Sequence, residues 1–360
     1  MTLRAVFRDW AERYFSDEEA VILLVMLVLG FAAIIWLGSM LAPFFIALIL
    51  AFLLQGLINL LTRRHIPEKI AVTIVFLGFI TVMLVMAILL VPLLWNQLSN
   101  LVQEIPKMMS SGQDWVDELK TTYPTLITPD QIDNWVTAIT REFNSYAQRA
   151  LTLSITSLGT VVTLIVYLVL VPILIFFMLK DRDKLVNFTL SMLPEKRGLM
   201  SRIWKEMDGQ IANYVRGKVV EIIIVGTVTF ITFSFFGLPY SALLAVLIGF
   251  SVLVPFIGAA VATLPVAAVA GFHFGLTEQF AYLMLAYGII QALDGNVLVP
   301  VLFSEAVNLH PVSIILAVLF FGGIWGFWGV FFAIPLATLI KALVTAWPRG
   351  LHPERLEETP

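Results

Sequence analysis

The chain has 360 residues, of which 59% are hydrophobic and only 13% charged, with a mean hydropathy of +0.93. Soluble domains carry roughly 25% charged residues, so this deficit excludes a water-soluble globular protein. The net charge of −3 gives no electrostatic footprint for nucleic acid, and the absence of cysteine excludes disulfides, thiolate metal sites and cysteine nucleophiles.

Residues 1–19 form a polar segment mixing Arg4, Arg8 and Arg13 with Asp9, Glu12, Asp17, Glu18 and Glu19. The apolar run Ala20–Leu37 that follows is longer than a signal-peptide core and has no small-residue cleavage pattern, so it is predicted as a transmembrane helix. A hydrocarbon core of ~30 Å needs about 20 apolar helical residues. Residues 20–94 accordingly hold three predicted spans, Ala20–Gly38, Ala42–Leu61 and Ile70–Leu94.

Residues 95–150 are polar, with four basic residues against seven acids. Leu98, Leu101, Val102 and Ile105, then Ile132, Trp135, Val136, Ile139 and Phe143, recur at helical spacing. The segment reads as a small extracytoplasmic helical module, broken at Pro106, Ser110–Gly112 and Pro124. A fourth span is predicted over 151–179. Residues 180–218 carry nine basic residues, and Met200, Ile203, Trp204, Met207 and Ile211 make the apolar face of a cytoplasmic surface helix.

Val219–Phe236 is a fifth span and opens the most unusual stretch. From Val219 to Ile340 there is no Lys or Arg, yet Glu221, Glu278, Asp294 and Glu305 remain. Basic residues favour the cytoplasmic side. Arg63, Arg64 and Lys69, the basic 180–218 segment and the tail 348–360 therefore lie inside, with both termini, and the acidic 95–150 module lies outside.

Within 219–347 the apolar runs are interrupted at Pro255-Phe-Ile-Gly258, at Pro265, over Gly322-Gly323-Ile-Trp-Gly326-Phe-Trp-Gly329 and at Pro335. These are kinked full spans or re-entrant hairpins, and no basic residue lies in the disputed loops to choose by charge. Broken helices lining a cavity at membrane depth are a transporter device, which favours hairpins. The fold class is thus an all-α polytopic membrane protein of roughly six to eight transmembrane helices, two C-terminal elements being candidate hairpins.

The densest polar cluster is Gln291-Ala-Leu-Asp294-Gly-Asn296, followed by Pro300 and then Ser304-Glu305-Ala-Val-Asn308. Gln291 and Asp294 share a helix face, and Gly295 is placed to end or bend that helix. Asp294, assisted by Gln291 and Asn296, reads as a site for a proton, a cation or a hydroxyl-rich solute, since ionisable groups inside a bilayer mark substrate and ion paths. The alternative is hydrogen-bonded glue between helices. Glu305 and Asn308 fit either a loop or the pathway. Lys218 and Glu221 read as a snorkelling surface pair at the cytoplasmic boundary, a gate role for Glu221 being the alternative, and Glu278, near His273, as an interface residue. Gly322, Gly323, Gly326 and Gly329 permit close backbone approach; with Pro255, Gly258 and Pro300 they are the expected helix breaks and tips. No HExxH or Walker motif occurs, so no metal or cofactor is expected and any transport is secondary or passive.

At Leu293-Asp294-Gly-Asn296, the Pro255-Phe-Ile-Gly258 break and Gly326-Phe-Trp-Gly329-x5-Pro335-Leu-Ala-Thr338, the chain resembles the autoinducer-2 exporter family of bacterial permeases. Trp204-Lys-Glu-Met207, Asn213-Tyr-Val-Arg-Gly-Lys218 and Ala346-Trp-Pro348 extend the resemblance over nearly the full length. It implies a homo-oligomeric inner-membrane permease with a small polar solute or cation as cargo and the lipid bilayer as its surroundings. Some relatives are proposed to export autoinducer-2 and others to exchange sodium for protons. A membrane scaffold that recruits partners without transport is the competing reading.

Overall fold

The computed structural model describes residues 18–122, 158–193, 198–255, 257–275, 277–303 and 309–346. Every regular element among them is helical. Six stretches are long and apolar enough to cross a bilayer: Glu19–Gly38, Met40–Thr62, Glu68–Met108, Gly198–Phe235, Ile257–Phe274 and Glu278–Phe303.

The first two predicted spans are not separated by a loop. Helix α1 (Glu18–Thr62) runs through both, with Pro43 inside it. It cannot be straight. The Met200 amide donates to Glu19 Oε1 at 2.9 Å, while the Arg216 guanidinium lies against Gly56 and over the Phe52 ring. At 1.5 Å per residue, positions 19 and 56 are about 55 Å apart along α1, but positions 200 and 216 only about 24 Å along their own helix. The helix therefore bends between two arms.

Helix α2 (Glu68–Val85) continues through a π-helical turn (Met86–Leu90) into α3 (Val91–Thr122). Pro106 and Ser110–Gly112, predicted as breaks, lie inside α3. A proline within a long helix loses one hydrogen bond but need not end it. The rest of the 95–150 module lies outside the described residues. The π turn sits just ahead of Pro92, where the proline lacks a donor and crowds the preceding turn. Helix α4 (Leu158–Lys180) packs Val171, Ile175 and Leu179 in one cluster with Ala47, Ala51 and Ile58 of α1 and Ala71, Val72 and Val75 of α2. The short α5 (Arg182–Ser191) follows.

Helix α6 (Gly198–Phe235) fuses the predicted cytoplasmic surface helix with the fifth span into one rod of about 57 Å. Met200, Ile203 and Met207 are buried as expected of an apolar face, whereas Trp204 is 72% exposed. The rod ends at Gly237 (φ +72°), where Leu238 N–H donates to Phe233 O and Gly237 N–H to Ser234 O. That pair of bonds is a Schellman cap, and the left-handed position suits glycine.

Two helical hairpins follow, one on each side of a full crossing. The first is α7 (Ser241–Ser251) and α8 (Ile257–Phe274). It starts beside Gln97, whose Oε1 accepts from the Leu243 amide, and it returns to place His273 and Phe274 beside Phe236 and Gly237. Both its ends thus lie at the C-terminal end of α6. At about 17 Å, α7 covers only half of a hydrocarbon core. Its turn reaches the middle of α6, where Val252 meets Lys218. The predicted break at Pro255 lies in this turn, and Gly258 sits where α8 crosses α7: a Cβ there would occupy the Ser251 carbonyl.

The crossing is α9 (Glu278–Leu293), a π-helical turn (Asp294–Leu298) and α10 (Val299–Phe303), about 39 Å in all. Pro300 is not a break or a tip. The chain stays helical through it, and the widened turn at Asp294–Leu298 absorbs the donor that Pro300 lacks.

The second hairpin is α11 (Pro311–Trp325), α12 (Phe327–Phe331) and α13 (Ala333–Ala346). It opens with Pro311 at the first helical position and His310 Nδ1 accepting from the Val312 amide. Its far end packs Ala342 with Ile203 and Met207, towards the N-terminal end of α6. It therefore enters from the opposite end to the first. Gly326 (φ +58°) forms its tip, and a Cβ on Gly329 would occupy the Phe321 carbonyl. Gly322 and Gly323 lie within α11, short of the tip. The two hairpins meet: Val254 packs against the cluster formed by Ala317, Val318, Phe321 and Ala333.

Because backbone cannot yield as a side chain can, Gly258→Ala and Gly329→Ala are each expected to destabilise the protein by about 3 kcal/mol. Gly323→Ala, with open space around its Cβ and a gain in helix propensity, should be neutral or slightly stabilising. Thermal unfolding in detergent checks all three; equal effects would place the tight crossings elsewhere.

Candidate functional site

The polar centre lies on the middle of α6, where the first hairpin's turn and α10 reach it. Lys218 and Glu221 face the same side, one helical turn apart, and Lys218 Nζ lies 2.8 Å from Glu221 Oε2. The expected snorkelling surface pair is a buried one: Lys218 is 4% exposed and Glu221 1%. A local sequence reading pairs the two residues but cannot see what covers them, because the cover comes from distant parts of the chain.

The covering groups are polar as well as apolar. Lys218 Nζ donates to the Val252 carbonyl at 2.8 Å, in the turn of the first hairpin. It also lies 5.1 Å from the centre of the Phe303 ring, a cation–π distance. Phe303 packs directly on Gly217, where a side chain would displace its ring. Four residues before Lys218, and so on the same face of α6, the Tyr214 hydroxyl donates to the Phe331 carbonyl of the second hairpin at 3.1 Å. The Tyr214 and Phe303 rings lie 5.8 Å apart. One helix face thus holds both hairpins, and the only sequence sign of it was the i, i+4 spacing of Tyr214 and Lys218.

Asp294 enters this neighbourhood from the π-helical turn, which packs against α6. Asp294 and Gln291 are half-buried, and Asp294 Oδ1 and Gln291 Nε2 are buried without hydrogen-bond partners among the described residues. Most buried polar atoms are paired, so unpaired ones ask for an explanation such as a ligand role. Asn296 points elsewhere: it is exposed, and its Nδ2 donates to Ala292 O at 2.8 Å. Glu305 and Asn308 lie outside the described residues. Glu278 and His273 line an open surface depression with Phe236, Gly237 and Thr277, well away from the Lys218 cluster. Among the described residues no group of His, Asp and Glu is arranged to hold a metal ion.

Comparison with known proteins bears on the same architecture. Residues 24–349 match the AI-2E family transporter family. The chain belongs to that family. It is 48% identical over 342 residues to the Escherichia coli K12 protein named as a permease, PerM, covering 95% of this chain and 97% of that one. A Bacillus subtilis protein named as a transport protein, YueF, is 26% identical over 86% of this chain and 84% of its own. The AI-2 transport protein TqsA of E. coli K12 is 25% identical over 90% of each. The family is made up of permeases and transport proteins rather than enzymes, so this is a multi-pass membrane protein of a bacterial permease family. The lipid bilayer and a transported solute are its partners.

Removing one member of a buried ion pair strands the other, at a cost of about 3–5 kcal/mol, whereas replacing both is far milder. Lys218→Met is therefore expected to lower stability by that amount, and Lys218→Met/Glu221→Gln to recover most of it. Thermal or denaturant unfolding of the single and double variants reads this directly. A double variant no more stable than the worse single one would contradict the pairing.

Proposed function

We propose that the protein is a secondary transporter of the bacterial inner membrane that exports a small polar solute, with Asp294 and Gln291 on the solute or ion path. The observation that carries this reading is the composition of the buried centre. One ammonium, Lys218, is paired with Glu221, and a second carboxylate, Asp294, comes from the turn that packs on the same helix, its Oδ1 and the Gln291 Nε2 being buried without hydrogen-bond partners among the described residues. With all three groups ionised the cluster holds one negative charge in excess. An uncompensated buried charge is costly, so a proton or a cation at Asp294 is the natural complement, which supports ion coupling.

Two hairpins entering from opposite ends and meeting near this cluster support alternating access, because short paired helices can move against a long rod such as α6. Basic residues at Arg63, Arg64, Lys69 and 180–218 support cytoplasmic termini. Likeness to TqsA, named as an AI-2 transport protein, supports an autoinducer-2-like solute. A sodium/proton antiporter is the second reading, favoured by the same excess carboxylate. Homo-oligomeric assembly and the absence of nucleic-acid partners belong to the proposal as family expectations.

The test is flux in proteoliposomes with Asp294→Asn, using autoinducer-2 and sodium as separate cargoes under an imposed pH gradient. The substitution keeps the shape and removes the charge. It is expected to reduce ion-coupled flux at least tenfold, and Asp294→Glu to retain part of it. Unchanged flux and unchanged response to the gradient would make Asp294 a structural residue.

A further inference from the structure

We infer that Tyr214 and Lys218 are two separate latches on α6, each holding one hairpin shut, so that each hairpin is the gate of one membrane face. This rests on the transport reading above and adds the residues that set which gate opens. The geometry is specific. Each side chain reaches a main-chain carbonyl of one hairpin: Lys218 that of Val252 in the first, and Tyr214 that of Phe331 in the second. Both donors are buried, at 4% and 2% exposure. They lie one helical turn apart on the same rod, and the Phe303 ring contacts both.

Both bonds originate on one face of one helix, but each is made to a different hairpin. The hairpin turns also touch each other through Val254, which packs against the cluster formed by α11 residues and Ala333. Displacing the first hairpin breaks the Lys218–Val252 bond and leaves Tyr214–Phe331 closed; displacing the second does the reverse. Phe303 lies against both donors, so α10, which continues directly from the π-helical turn of Asp294, reports on both. Lys218 has a second partner in Glu221, so its ammonium is not stranded when the Val252 bond opens. Tyr214 needs none, because a hydroxyl is cheaper to leave unbonded than a charge. The two latches thus differ in chemistry as the two gates differ in direction.

The native chain has no cysteine, so one introduced thiol is a clean probe. Val254→Cys places it at the contact between hairpins. A membrane-impermeant maleimide is applied from either face, using right-side-out and inside-out vesicles. Tyr214→Phe removes only the hydroxyl; Lys218→Met/Glu221→Gln removes the first latch without stranding a charge. The Lys218 double variant is expected to raise the labelling rate about fivefold or more from the face where the first hairpin enters, and Tyr214→Phe from the opposite face only. That size is what loss of one hydrogen bond gives. Lys218→Arg, which can still reach the carbonyl, should label like the parent. Labelling raised equally from both faces, or from neither, overturns the latch assignment. The readout requires no cargo, so loss of flux in Asp294→Asn with unchanged labelling here would sink the latches and leave the transport reading standing.

Discussion

An ammonium group held inside the protein governs the arrangement around it. Taking Lys218 out of water costs several kcal/mol unless its donors are used and its charge is met. Glu221 supplies the counter-charge from the same helix, Val252 a carbonyl from a hairpin turn, and Phe303 a ring face from the crossing that carries Asp294. Two elements distant in sequence are thereby brought to one point on α6. Removing either of them would leave Lys218 short of a partner, so their positions are mutually dependent in a way that lipid-facing contacts are not.

Apolar packing alone would not give that precision, because lipid tails are as apolar as leucine and offer no hydrophobic drive between helices. Close backbone approach supplies the rest. A Cβ on Gly249 would come within 3.1 Å of the Ile222 carbonyl, and Gly226 faces Ala245 and Gly249 in return, so α7 lies directly on α6. Gly258 and Gly329 do the same within each hairpin. Dispersion gained over such contacts holds the short α7 and α12 in place, and the Thr263–Tyr287 hydroxyl pair at 3.0 Å joins α8 to α9.

What the sequence disclosed follows from the range of each signal. Hydropathy is a property of some twenty consecutive residues, so the long spans were legible, as were the interruptions at Pro255 and Gly326. Proline was over-read: Pro106 and Pro300 stay within helices, the latter because a π-helical turn precedes it. Charge parity could not distinguish hairpins from full spans, since neither disputed loop carries a basic residue. The Lys218–Glu221 pair was found by its spacing but placed on the surface, because its burial depends on Val252 and Phe303. Gln291 and Asp294 were recognised as one face, whereas Asn296 turned back to its own helix, as a short amide near a backbone carbonyl can.

The order of the groups along this centre has a consequence for how cargo and gate would communicate. Lys218 and Glu221 neutralise each other at 2.8 Å, while Asp294 Oδ1 is buried with no hydrogen-bond partner among the described residues. On the proposed reading, a proton or cation arriving at Asp294 changes the net charge beside Lys218 by one unit without touching the ion pair. The ammonium is then drawn more strongly to Glu221 and the Val252 carbonyl, because the competing attraction of Asp294 has gone. Loading would tighten the first latch and unloading would loosen it. Such coupling needs no long-range path. It requires only that Asp294 lie within electrostatic reach of the ammonium that Glu221 and the Val252 carbonyl hold, and the packing of the Asp294 turn on α6 supports that.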